Sequence, residues 1–147
     1  MKIPETERTA QDWLLLGNIY GENNDNKKAC LMYQKAINLK SDYYKAYYNL
    51  ANTYFKQKSY YTAIKYYKNA LKYNKTNPYI YYNCGCAYIK TCKLKKAEEM
   101  FTQAIIIQNN IPDFHYNMAY VCKRLNKPEK AQTYLDNYNK LLNNDNF

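Results

Sequence analysis

The chain has 147 residues, 47% of them apolar, enough for one domain with a core of its own. No apolar run approaches the ~18 residues that a bilayer span needs, and the opening "MKIPETERTA" has no apolar h-region, so neither a span nor a secretory leader is expected and the cytoplasm, or the nucleus, is the expected compartment. The net charge of +10 is concentrated: residues 1–42 carry six basic and six acidic groups, 43–97 carry eleven lysines and no acid, and 98–147 carry five basic and six acidic groups.

Five cysteines, an odd number, do not make a disulfide framework. Cys84 and Cys86 stand about 200° apart on a helix, so they cannot bridge each other. Cys84, Cys86, Cys92 and His115 do not have the spacing of a structural zinc site. Reduced thiols are expected, with no metal and no cofactor. Asn, Lys and Tyr together make 60 of the 147 residues. Their codons are AT-rich, so a genome of that composition would account for part of the skew, and any single one of them has to be argued from its position.

Taken in chain order, residues 1–9 form a lead-in, and "TAQD" (Thr9 to Asp12) before the apolar "WLLL" predicts a capped helix start. From Ala10 the chain repeats every 34 residues, as units 10–43, 44–77, 78–111 and 112–142, followed by a tail over 143–147. Position 4 of the units holds Trp13, Tyr47, Tyr81 and His115. Position 7 holds Leu16, Leu50, Cys84 and Met118; position 8 holds Gly17, Ala51, Gly85 and Ala119; position 11 holds Tyr20, Tyr54, Tyr88 and Cys122. That spacing is one face of a helix. Turns follow at "GENNDN", "KQKS", "KTCK" and "RLNKP". A second helix is predicted by Ala29, Ala63, Ala97 and Ala131 at position 20, by Tyr33, Tyr67, Phe101 and Leu135 at position 24, and by Ala36, Ala70, Ala104 and Tyr138 at position 27. Pro78, Pro112 and Pro128 suit first helical turns. The result is a helical hairpin stacked four times, each unit needing its neighbour to bury its face, with small residues at positions 8, 20 and 27 for close approach and aromatics at 4, 11 and 24 as core.

These residues resemble the tetratricopeptide repeat, W-x2-L-G-x2-Y, then A-x3-F, then A. The first unit follows it almost letter for letter, with Trp13, Leu16, Gly17, Tyr20, Ala29, Tyr33 and Ala36, and the resemblance extends over residues 10–142. The family's late proline, at position 32, is replaced by Ser41, Lys75, Asn109 and Asn143, and the fourth unit departs at His115, Cys122 and Tyr138. The resemblance implies an all-α, right-handed solenoid of four helix-turn-helix hairpins.

At 100° per residue, positions 2, 5, 6, 9, 12 and 13 fall opposite the packed face of the first helix. In a tetratricopeptide stack that side lines the concave groove, as the resemblance implies. Position 6 offers Leu15, Asn49, Asn83 and Asn117, and position 9 offers Asn18, Asn52, Cys86 and Tyr120. A carboxamide bonds a peptide C=O and N–H at once, and tetratricopeptide superhelices with a similar inner asparagine ladder use it to grip peptide backbone. Asn49, Asn83 and Asn117 are therefore expected to hold an extended segment, with Asn18 and Asn52 extending the row. Lys45, Lys56, Lys90 and Arg124 supply positive charge, favouring an acidic partner. Tyr48, Tyr82 and Tyr116, at position 5, line the groove or pack at its edge, and Leu14 and Leu15 make its first end an apolar anchor.

Four other function classes compete with this reading. The tetratricopeptide class that clamps the free C-terminal carboxylate of chaperone tails has cations where this chain has Tyr48, Asp113 and Asn117, although Asn52 and Asn83 fit; one unit earlier Asn18 and Asn49 fit, while Leu14, Tyr79 and Asn83 stand in place of the cations. Single-stranded nucleic acid would use the basic and aromatic residues, but the only arginines, which bind phosphate best, are Arg8 and Arg124. Catalysis lacks its parts: the one histidine sits at a core position, and three glycines form no phosphate loop. Assembly is the strongest alternative, because Tyr134, Tyr138, Leu141 and Leu142 would face outward from the last unit and dock a partner or a second copy. The expectation is thus a non-catalytic protein-interaction module for an extended, acidic peptide.

Overall fold

The computed structural model describes residues 2–144, and all regular structure among them is helical. The eight α-helices form four helix-turn-helix pairs, in two compact units divided after Asn74. Unit 1 contains α1 (Ala10–Glu22), α2 (Asn26–Leu39), α3 (Tyr44–Lys56) and α4 (Tyr60–Tyr73), preceded by one 3-10 turn at Glu5–Glu7. Unit 2 contains α5 (Pro78–Lys90), α6 (Leu94–Ile107), α7 (Pro112–Arg124) and α8 (Pro128–Asn144). The last helix therefore takes in residues 143 and 144 of the expected tail; the rest of that tail, 145–147, and the first residue of the lead-in lie outside the described residues.

The helix ends are set by local chemistry. The Asp12 N–H donates to Thr9 Oγ1 at 3.2 Å and the Thr9 N–H to Asp12 Oδ2 at 2.7 Å, completing the capping box. Asp25 caps α2 through the Lys28 N–H, and Asn77 caps α5 through the Tyr79 N–H. Each first helix ends in the same left-handed closure, with Asn24, Lys58, Cys92 and Asn126 at φ 61°, 62°, 58° and 58°. The next residue's N–H returns to the last turn, as in Asp25 to the Tyr20 carbonyl and Lys127 to that of Cys122, both 2.9 Å. Asparagine tolerates this conformation; lysine and cysteine do so at a cost.

Close approach within the hairpins depends on two glycines. A Cβ on Gly17 would lie 2.4 Å from the Tyr33 ring, and one on Gly85 2.7 Å from the Phe101 ring. The unit 1 core joins Trp13, Leu14, Tyr33 and Ala36 of the first hairpin to Ala46 and Leu50 of α3. The lead-in covers Trp13, with the Arg8 guanidinium 4.7 Å and the Lys35 ammonium 4.4 Å from its ring centroid, while Lys35 also pairs with Glu5. In unit 2, Phe101, Phe114, Met118 and Val121 are fully buried.

Position 4 also ties down the linker before it. Tyr47 Oη donates to the Ser41 carbonyl at 2.8 Å, and His115 Nε2 donates to the Asn109 carbonyl at 2.7 Å. Both carbonyls belong to position 32, where the tetratricopeptide pattern has proline. A side-chain bond restrains the linker here, and His115 takes the same role as the tyrosine it replaces. No helix among the described residues is long and apolar enough to cross a membrane.

Candidate functional site

In unit 1 the carboxamides of the first helices are joined to the core. Tyr33 Oη donates to Asn18 Oδ1 at 2.8 Å, and Asn49 Nδ2 donates to the same oxygen at 2.9 Å. Tyr67 Oη donates to Asn52 Oδ1 at 2.5 Å. The position 24 tyrosines are buried as expected, but their hydroxyls reach through to the asparagine face. Burial, with a smaller push from Cys30 and Glu22, raises the Tyr33 phenol to about 12. Both lone pairs of the Asn18 oxygen are engaged, which leaves its N–H groups. Asn49 keeps its oxygen and one N–H.

These side chains line an open cleft of ≈ 440 Å³ together with Glu22, Asn26 and Lys56. Asn26 Oδ1 is buried without a hydrogen-bond partner among the described residues. Lys56 Nζ donates to Asn24 Oδ1 at 2.6 Å across the two hairpins of the unit. Lys45 and Leu15 are exposed.

Unit 2 uses the same positions differently. Cys86 and Phe101 stand where the first two repeats have asparagine and tyrosine, so the hydroxyl and its acceptor are lost together. Tyr82 hydrogen-bonds Cys86 instead, and burial pushes that thiol up to about 11. Asn117 Nδ2 donates to Tyr82 Oη at 2.9 Å and to the Asp113 carbonyl at 3.1 Å. With both hydrogens spent, the two-sided grip expected of Asn117 is not available, and only its oxygen is left to accept. Asn83 is half-buried on α5 and Lys90 is exposed. Arg124 Nη1 donates to Tyr120 Oη at 2.8 Å.

Leu14, at position 5, corrects a second expectation. Leu14 is 7% exposed and belongs to the unit 1 core, so it offers no anchor; Leu15, 51% exposed, remains accessible. Tyr82 packs on Phe114 at 4.9 Å between ring centroids, and Tyr48 on Tyr67 at 6.2 Å. Leu14 and Tyr82 meet the next hairpin of their own unit, which a single-helix projection leaves out. Tyr116 is exposed and lies against Tyr138, with ring centroids 5.2 Å apart. Of the expected assembly residues, Tyr134 packs on His115 at 5.9 Å, Leu141 is half-buried, and Leu142 is exposed. A second cleft of ≈ 440 Å³ opens between α7 and α8, lined by Tyr116, Ala119, Tyr120 and Leu135 among others. Among the described residues no three His, Cys, Asp or Glu side chains gather as a metal site.

Comparison with known proteins agrees with this architecture. A family model described as "TPR repeat" matches residues 17–58, one described as "Tetratricopeptide repeat" matches 44–77, and another of that description matches 78–110 and 112–141. No curated protein matches the sequence. Among solved structures, a crystal structure of MamA is 20% identical, with TM-score 0.89 over 92% of this chain and 80% of that one. A MamA fragment from Desulfovibrio magneticus RS-1 is 17% identical, with TM-score 0.87 over 95% and 78%. The MamA RS-1 ArsTM double mutant, also 17% identical, has TM-score 0.90 over 97% and 79%. At these identities the likeness is one of fold. Four matched repeats and four helical hairpins establish that this chain belongs to the tetratricopeptide-repeat family, whose fold is a protein-interaction scaffold and whose members are in general non-catalytic.

Proposed function

We propose that the chain is a non-catalytic module that holds an extended, acidic segment of another protein against the asparagine-bearing faces of its first helices. The observation that carries this reading is the unit 1 cleft. Its side chains are fixed by Tyr33 and Tyr67, yet keep open hydrogen-bonding capacity at Asn49 and at the Asn18 N–H groups. Prefixed polar groups lose little rotamer freedom on binding. Asn49 bonds a peptide unit from both sides, Asn18 donates to a carbonyl, and Asn117 accepts from an N–H; Asn52 and Asn83 continue the contacts. Lys45, Lys56, Lys90 and Arg124 set the preference for acidic segments. Each bond contributes about 0.5–1.5 kcal/mol, which after ordering costs leaves isolated peptides at an affinity on the order of micromolar.

The test is fluorescence anisotropy with labelled, unstructured peptides graded from acidic to basic. The acidic peptides bind, and binding weakens as salt rises. Asn83→Ala weakens them several-fold with helix content and melting temperature near wild type. Equal affinity across the charge series overturns the acidic preference, and unchanged affinity in Asn83→Ala removes that residue from the site.

A further inference from the structure

Both units cover their earlier hairpin in the same way. In unit 1, α3 buries Ala46, Leu50 and Thr53, at positions 3, 7 and 10; in unit 2, α7 buries Phe114, Met118 and Val121 at those positions. Two faces of this kind have no covering helix among the described residues. One is on α1, where Leu16 and Ile19 hold positions 7 and 10 with Leu15 beside them; Leu15 and Ile19 are 51% and 53% exposed. The lead-in instead engages Trp13 through Arg8 and Lys35 through Glu5. The other is on the fourth hairpin, where α8 buries no residue and the α7–α8 cleft stands open.

We propose that these faces are the two halves of one interface, and that α1 of a second copy docks in the α7–α8 cleft, continuing the repeat packing from chain to chain. The residues that would meet change together. Within unit 1 the junction pairs Asn18 with Asn49, at positions 9 and 6. At the proposed junction those positions are Tyr120, 41% exposed, and Leu15, an apolar pair in place of a polar one. Within unit 1, Lys56 bonds Asn24, at positions 13 and 15. At the proposed junction they are Glu22 and Asn126, the latter close in sequence to Lys123. Glu22 makes no ion pair among the described residues, so a carboxylate meets an amide donor and a cation. Where Ala46 shares a core with Ala36, the new pair is Asp12 and Tyr138, acceptor and hydroxyl donor.

Because the two faces differ, the contact is heterologous and grows head to tail rather than closing as a two-fold dimer. It does not depend on what occupies the unit 1 cleft.

Sedimentation velocity over a concentration series, with two double variants, tests the proposal. Leu15→Glu with Ile19→Glu blocks the α1 face, and Tyr116→Glu with Tyr120→Glu blocks the cleft; all four residues are exposed. Wild type gains mass with concentration and does not stop at two copies. Each variant alone stays monomeric, its self-association weakened about a hundredfold or more. An equimolar mixture of the two forms one-to-one complexes and nothing larger, since each variant keeps one working face; that complex also demonstrates that both are folded. Wild type that is monomeric throughout, either variant associating alone as wild type does, or a mixture that stays monomeric overturns the proposal.

Discussion

Units 1 and 2 are the same fold carrying different chemistry. Both have two hairpins, the same left-handed turn residue, the same cover of positions 3, 7 and 10, and a position 4 side chain on the linker carbonyl. In unit 1 a tyrosine hydroxyl rises from the core to an asparagine on the outer face, twice. In the third repeat Phe101 and Cys86 remove the donor and the acceptor at once, and in the fourth Leu135 and Tyr120 do the same. Positions 9 and 24 therefore behave as one unit. An asparagine at position 9 is both a surface group and the acceptor that lets a tyrosine be buried.

The largest effect expected from this comparison comes from breaking the pair in unit 2. Phe101→Tyr alone buries a hydroxyl with no carboxamide to receive it and should cost about 1–3 kcal/mol in urea unfolding. Adding Cys86→Asn recreates the Gly-Asn-Tyr set of the first repeat, so the double variant should recover most of that loss, a coupling on the order of 1 kcal/mol or more. Additive effects would mean that the two positions are not coupled. The reverse lesion in unit 1, Tyr33→Phe, leaves Asn18 without its buried donor and should cost about 1 kcal/mol.

A smaller and opposite effect is expected at the turns that the units share. Lys58→Gly in unit 1 and Cys92→Gly in unit 2 relieve left-handed non-glycine residues, and each should raise stability by about 0.5–1 kcal/mol, whereas Asn24→Gly and Asn126→Gly should change it less.

The smallest effect is a pH dependence in unit 2. Glu98 of unit 2 receives Lys127 Nζ at 2.8 and 2.9 Å and Lys130 Nζ at 3.4 Å. Desolvation raises its carboxyl, but the two lysines together outweigh it and hold it below the usual glutamate range. A depressed folded-state value means stability that is present above the unfolded value and lost as pH falls through the folded one. Glu98→Gln should therefore lower the melting temperature at neutral pH, and the difference from wild type should vanish in acid.

The period, the hairpins and the Thr9–Asp12 cap were legible in the sequence because apolar spacing and capping chemistry are local. Four features were not. Leu14 projects away from the core of its own helix, and only the arrival of α3 buries it. Lys58 and Cys92 are not turn formers; the closing helix imposes their conformation. The Tyr33–Asn18 bond spans fifteen residues, and its one trace in the sequence is the joint change at positions 9 and 24 from repeat to repeat. Asn117 looks identical to Asn49 in the alignment of repeats, yet Tyr82, supplied by the preceding first helix, takes one of its hydrogens.

That last contrast gives the most direct test of peptide holding. Asn49→Ala and Asn117→Ala are compared by anisotropy against the same labelled acidic peptide, with melting temperatures recorded for both. Asn49 can bond a peptide unit from two sides and Asn117 from one, so Asn49→Ala should weaken binding about tenfold, and Asn117→Ala by no more than about threefold. If both variants bind as wild type does, the asparagine face is not where the partner sits.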